Sequence, residues 1–431
     1  MFRNHGLRMF CALLGVLGAC APDGENTGTP TDESWPTDEK TFNVQWSPSV
    51  TRIDAGQLDM VREADTANEQ YTLDAAAVRA AGLDVSPGRI LVIHGLALRR
   101  IAAVEEQQDA LIIDTEPARL TEAITEGTIA WDYGVSFTPD RVKSVSAAGK
   151  TVAIKPNPRI ESPGDPIVLD IEIDPFTYHI EVTLEDTRAT FRFTITRDLG
   201  GAAQAKFTAE GHLERFRSRD LIEIRGGAVQ TFRHNLEKLR GEATLELIAT
   251  ASGRDVVNLE LPATILSVPF LIGPIPVELN IKAQFVINAS VPIDGSSWVR
   301  ARFRYDSDLG LAYDGTQVGA EARMGNPETD AEKTQTGASF AVAANFGVGF
   351  PRVELSMARE SVVPWAQTAF LIGGSFAPAH STVPLCQTAD AEFLGAAGYD
   401  LSFLGVVNIA SGSIRFFDYK KELLRAGECP E

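Results

Sequence analysis

The chain has 431 residues and a formal charge of −19, from 39 Lys+Arg against 58 Asp+Glu. Hydrophobic residues make up 44% and charged residues 23%, which is ordinary globular usage and excludes disorder over most of the length. The acidic balance excludes nucleic-acid binding led by phosphate contacts, and after the first segment no apolar run of about 18 residues predicts a transmembrane helix.

At the start of the chain, Arg3 and Arg8 precede the apolar stretch Phe10 to Ala19. That stretch is about half the length of a bilayer-spanning helix, so it reads as a secretory h-region. It ends in Leu17-Gly18-Ala19-Cys20, which resembles the lipobox of bacterial lipoprotein signal peptides. The resemblance implies that residues 1–19 are removed and that Cys20 becomes an acylated first residue. Several acyl chains, each CH₂ contributing about 0.8 kcal/mol, would anchor the protein stably to a membrane. Position +2 is Ala21 rather than Asp, which by the same resemblance favours the outer membrane.

Residues 20–45 begin with the lipidated cysteine and continue into an acidic stretch rich in Pro, Gly and Asn. It holds too little apolar surface to offset its ordering entropy and is expected to be a flexible tether. Cys11 leaves with the leader and Cys20 takes the lipid, so Cys386 and Cys429 remain as an even pair. In an oxidising compartment they are expected to form a disulfide.

Residues 46–140 read as a small α+β unit. Asp74 to Gly82 has an N-cap aspartate, good helix formers and a glycine stop. Ile90 to Ile93, Leu98 to Val104 and Ala110 to Thr115 read as strands, and Thr115 to Ile124 as a second helix. Residues 141–431 form a large antiparallel β domain on the same reading. Val168 to Ile173, Tyr178 to Leu184 and Thr190 to Ile195 alternate apolar and polar residues. Val277 to Val291 keeps that alternation longest, and Ser297 to Tyr305 repeats it, so the two are predicted to pair as a hairpin through Pro292 to Gly295. The prolines in Ser267 to Pro276 predict an edge or crossing segment whose apolar residues cap the core. Asp418 to Gly427 reads as a short capped terminal helix. The fold class expected is mainly β, a large elongated antiparallel β-sandwich preceded by the small α+β unit.

Chemistry-bearing motifs are sparse. The chain has no GxSxG, HExxH, GxxxxGK[ST], EF-hand or SxxK arrangement, and no cofactor is expected. The histidines 94, 179, 212, 234 and 380 each stand alone in sequence, and His94, between an apolar strand and Gly95, is a weak site candidate. Asp170, Glu172 and Asp174 share one strand face at about 7 Å spacing, a pattern able to hold a metal ion or the acid–base pair of a carbohydrate-active hydrolase. Arg300, Arg302 and Arg304 line another face as a possible anion-binding ridge, unless carboxylates across the hairpin such as Glu278 neutralise them. The reading favoured is a cell-envelope lipoprotein, held at the outer membrane by Cys20, that binds or scaffolds a protein or polysaccharide without catalysis. The hydrolase is the second reading, and a lipid-binding β tube the third.

Overall fold

In a computed structural model the described residues run from 38 to 429, apart from residues 67, 139–140, 143, 148–149, 154–163, 175, 199–203, 252–255, 291–294, 325–327, 330–342, 359–362, 378–385 and 406–410. The leader, Cys20 and His380 therefore lie outside the described residues. In chain order the elements begin with β1 (Glu39–Trp46), β2 (Val50–Ile53), a 3₁₀ turn (Ala55–Met60), β3 (Val61–Asp65), β4 (Gln70–Asp74), α1 (Ala75–Ala80), β5 (Ile90–Ile93) and β6 (Ala97–Gln107). Then come β7 (Ala110–Pro117), α2 (Leu120–Ala123), β8 (Ile124–Val135), β9 (Ser144–Ala147), β10 (Lys150–Ala153), β11 (Pro166–Ile173), β12 (Phe176–Leu184) and β13 (Arg188–Asp198). The chain continues through β14 (Gln204–Glu214), β15 (Phe216–Arg225), β16 (Ala228–Ala251), β17 (Val256–Ile272), β18 (Ile275–Ser290), β19 (Gly295–Tyr313) and β20 (Val318–Met324). It closes with β21 (Glu328–Thr329), β22 (Ala343–Met357), β23 (Val363–Ala377), β24 (Cys386–Asp400) and β25 (Ser411–Gly427).

The protein is mainly β, as the period-two patterning predicts. An 11-stranded sheet runs β1-β8-β15-β16-β14-β13-β12-β11, with β19, β20 and β21 continuing it beyond β16. An 8-stranded sheet runs β10-β9-β17-β18-β22-β23-β24-β25, and a 6-stranded sheet runs β2-β5-β6-β7-β4-β3. All described ladders are antiparallel except β2 with β5. The two larger sheets face each other as a sandwich. Phe191 meets Phe350 at 4.0 Å between ring centroids, and Phe303 meets Phe370 at 5.0 Å. Tyr133 stacks on Phe270 at 4.3 Å, so rings from both sheets interlock over much of the interface.

β16 is 24 residues long, roughly 80 Å of extended chain. Along one side its two halves pair with β15 and β14, which follow each other through Arg215; β19 flanks it along the other. An extra residue opposite β19, between Leu236 and Leu239, breaks the register. Lys238 there adopts φ 58°, and its amide donates to Asp308 Oδ1 at 2.8 Å. The bulge moves the inward phase from Phe232, His234 and Leu236 to Leu239, Ala243 and Leu245, keeping both halves facing the core.

α1 forms as predicted, with Asp74 accepting the Ala77 amide at 2.8 Å. Several expectations are corrected. β1 begins at Glu39, inside the stretch read as tether, because it finds a ladder partner in β8. β1 and β8 both belong to the 11-stranded sheet, so the boundaries at 46 and 140 do not separate the sheets. The second helix is short, Leu120–Ala123, because residues up to Pro117 stay paired in β7.

Val277 to Val291 and Ser297 to Tyr305 are not a hairpin: β18 pairs with β17 and β22, whereas β19 pairs with β16 in the other sheet. The proline-rich segment is the β17–β18 hairpin itself, inside the sheet rather than at its edge. Pro269 and Pro276 take ladder positions, and Gly273 turns the chain at φ 57°. Its apolar residues do cap the core, with Phe270, Ile272 and Ile275 buried. The predicted terminal helix is strand β25. The Cys386–Cys429 disulfide is present, with Cα atoms 4.8 Å apart, and closes the open end of the β24–β25 hairpin.

Candidate functional site

The most concentrated polar chemistry of the described interior lies where β8, β15 and β16 adjoin. On β15, Ser218 and Asp220 share the inward phase with Phe216, Ile222 and Ile224. The β15–β16 hairpin turns at Gly226-Gly227, and a register shift after Glu223 sets His234 directly opposite Asp220. Trp131 of β8 flanks Asp220 on its other side. The indole N–H of Trp131 donates to Ser218 Oγ at 3.4 Å, and the Ser218 hydroxyl donates to Asp220 Oδ2 at 2.5 Å. Asp220 Oδ1 lies 2.6 Å from His234 Nδ1, and both side chains are 0% exposed. His234 Nε2 is buried without a hydrogen-bond partner among the described residues.

The three residue types are those of a hydrolytic triad, but their order differs. A serine nucleophile needs its hydroxyl on the imidazole, with the carboxylate behind that ring. Here the carboxylate sits between the other two, so the Ser218 hydroxyl bonds to Asp220 and not to the imidazole. The row therefore orients and ties three strands rather than activating a nucleophile. In the sequence His234 stands alone, and its phase with Phe232 and Leu236 is the signal that it points inward.

Arg300, Arg302 and Arg304 do share the outward face of β19, and carboxylates from neighbouring strands occupy it with them. Arg302 Nε lies 2.5 Å from Glu242 Oε1, Arg304 Nε 3.3 Å from Glu242 Oε2, and Arg300 Nη2 3.5 Å from Glu210 Oε1. Partial burial pushes the Glu242 carboxyl up, but hydrogen bonds from Arg302 and Arg304, with their charges, outweigh it and hold the group below the usual carboxylate range. Neutralisation across strands thus occurs, with a different partner than expected: Glu278 belongs to the other sheet and accepts from Ser267.

Asp170 and Glu172 lie exposed on the outward face of β11, and Asp174 lies in the turn beyond it. Asp170 Oδ1 contacts His179 Nδ1 at 2.6 Å, and Glu181 Oε1 contacts His179 Nε2 at 3.1 Å. These hydrogen bonds, Asp170 first, raise the His179 pKa above its ordinary value. Among the described residues, no three His, Cys, Asp or Glu side chains converge to hold a metal ion. His94 sits half-buried at the β5–β6 turn, its amide donating to Ile53 O at 3.0 Å. The adjacent Gly95 amide donates to Pro274 O at 2.8 Å, docking this turn onto the β17–β18 turn. A shallow pocket opens there between Gly95, Pro269, Leu271, Glu278 and Ser356.

Residues 35–126 match a family described as Domain of unknown function (DUF8403). The match spans β1 to β7 and both helices, a minority of the chain. No curated protein and no solved structure matches the chain.

Proposed function

We propose that the protein is a lipid-tethered bacterial envelope lipoprotein, exported and anchored through Cys20, that binds or scaffolds a protein or polysaccharide without catalysis. The observation that carries this reading is the sequence Leu17-Gly18-Ala19-Cys20 behind a short apolar stretch and two arginines. The Cys386–Cys429 disulfide supports it, since such bonds persist in oxidising compartments. So does the Ser218–Asp220–His234 order, which is wrong for nucleophilic attack. A carbohydrate hydrolase needs two carboxyl groups about 5–9.5 Å apart flanking a sugar-binding cleft. Asp170 and Glu172 instead stand on an open strand face, with Asp170 engaged by His179.

Metabolic labelling with a clickable palmitate analogue tests the anchor. The full chain should take up label, and Cys20→Ser should abolish it and leave the protein with its leader uncut. Label retained on Cys20→Ser would end this reading.

A further inference from the structure

We infer that β25 is a self-complementary edge, and that two copies of this chain join through it by antiparallel strand pairing about Tyr419. Among the described residues β25 pairs only with β24 and terminates the 8-stranded sheet. The 17-residue edge is bulged against β24 at Phe416 and Leu423, and between those bulges Phe417 to Glu422 present a regular row of backbone N–H and C=O groups pointing away from β24, a template for another strand. The disulfide fixes the far end of this edge beside β24, so the strand is presented in one register.

The identity of the partner follows from the order of charges. Tyr419 is the middle residue of Ser411–Gly427 and is 39% exposed, an unusual state for a large aromatic. With two copies antiparallel and Tyr419 opposite itself, Asp418 of each copy faces Lys420 of the other, on both sides of the two-fold axis. Phe417 then faces Lys421, so between the two bulges like charges never oppose. Sliding by one residue pair destroys this. Centred on Asp418, the register opposes Asp418 to itself. Centred on Lys420, it opposes Lys420 to itself and Asp418 to Glu422. Opposed like charges across a ladder are destabilising. The present bridges of these charges lie at the surface: Arg415 lies 3.2 Å from the exposed Asp418, and the exposed Lys420 3.1 Å from the half-buried Asp390. Bridges of that kind contribute little and exchange readily. The axis lies perpendicular to the sheet, which would run on unbroken from one copy into the next.

Sedimentation velocity on the full chain in detergent tests the pairing, with strand content checked by circular dichroism. The wild type should dimerise at micromolar concentration. Asp418→Lys and Lys420→Asp should each weaken the dimer at least about tenfold, since two attractive pairs per dimer become repulsive. The double variant Asp418→Lys/Lys420→Asp should restore it. A wild type that stays monomeric overturns the inference, and so do single reversals without effect or a double variant that fails to recover. Because palmitate uptake plays no part in the readout, this outcome is separate from the fate of the anchor.

Discussion

His179 and His234 are both held by an aspartate on the neighbouring strand, yet they have opposite consequences. His179 is 40% exposed, and its pKa is raised first by Asp170 and then by Glu181. A raised folded value means that the unfolded chain binds fewer protons as pH climbs, so its stabilising effect is complete below the ordinary value near 6.5 and disappears as pH rises through the folded value. Thermal melts of His179→Ala should therefore show the largest deficit against the wild type between about pH 5 and 6 and none by pH 9. A deficit that grows with pH would contradict the assignment.

His234 is fully buried, so its removal leaves Asp220 Oδ1 without its partner while Oδ2 keeps the Ser218 hydroxyl. We expect His234→Leu to lose about 3–5 kcal/mol in urea unfolding, and Asp220→Leu/His234→Leu to lose less than that single change. The pair was half legible in the sequence. Alternation places Ser218, Asp220 and His234 on the apolar phase, and Gly226-Gly227 marks the hairpin. An unbulged ladder from Arg225–Ala228 would set Asp220 opposite Arg233, however; the shift after Glu223 brings His234 there instead, and no residue type announces it.

β25 shows how local preference yields to reach. Asp418 to Gly427 has the cap, charges and stop of a helix, and its composition alone favours one. The chain leaves β24 at Asp400, and Cys429 must return to within 4.8 Å of Cys386, at the opposite end of a 15-residue strand. A helix rises about 1.5 Å per residue and would fall far short; extended chain at about 3.3 Å covers the distance. The disulfide was readable from cysteine arithmetic, and its geometry decides the element that the propensity reading missed. Since the bond closes a segment of 43 residues, Cys429→Ser should lower stability by about 4 kcal/mol in the chain-entropy description, read as a shifted urea midpoint. A shift below about 1 kcal/mol would mean that β25 is held by its ladder alone.

Across the described fold, one large apolar cluster crosses the sheets, while a second, with Leu73, Leu91, Ile93 and Ile113, fills the other face of the 6-stranded sheet. Ile90, Val92 and Leu98 of the 6-stranded sheet pack in the same cluster as Trp131, Phe270 and Phe370 of the sandwich. The Leu120 amide donates to Phe403 O at 2.8 Å, and β8 depends on β15 for its second neighbour. A fragment of residues 38–140 should therefore fail to fold alone, and its proton–nitrogen NMR spectrum should lack dispersion. A dispersed spectrum would show that the six strands suffice. Period-two alternation made the mainly β class legible, because burial on one face leaves that imprint locally. Which strand meets which was not legible, since β18 and β19 carry the same alternation yet lie in opposite sheets. A side chain's phase records whether it faces inward but not what it faces.

Arg352 of β22 lies over the ring of Trp365 on β23, and this stacking has an optical consequence. The guanidinium carbon lies 4.2 Å from the ring centre, and across the ladder Gly398 has no room for a Cβ, which would approach the indole to 2.3 Å. Trp131, by contrast, is enclosed within the other sheet at 2% exposure. Intrinsic emission from the five tryptophans of this protein thus includes an indole in the interior and one pressed against the sheet backbone. Departure of that cation would alter the second fluorophore while leaving the first dark to the event.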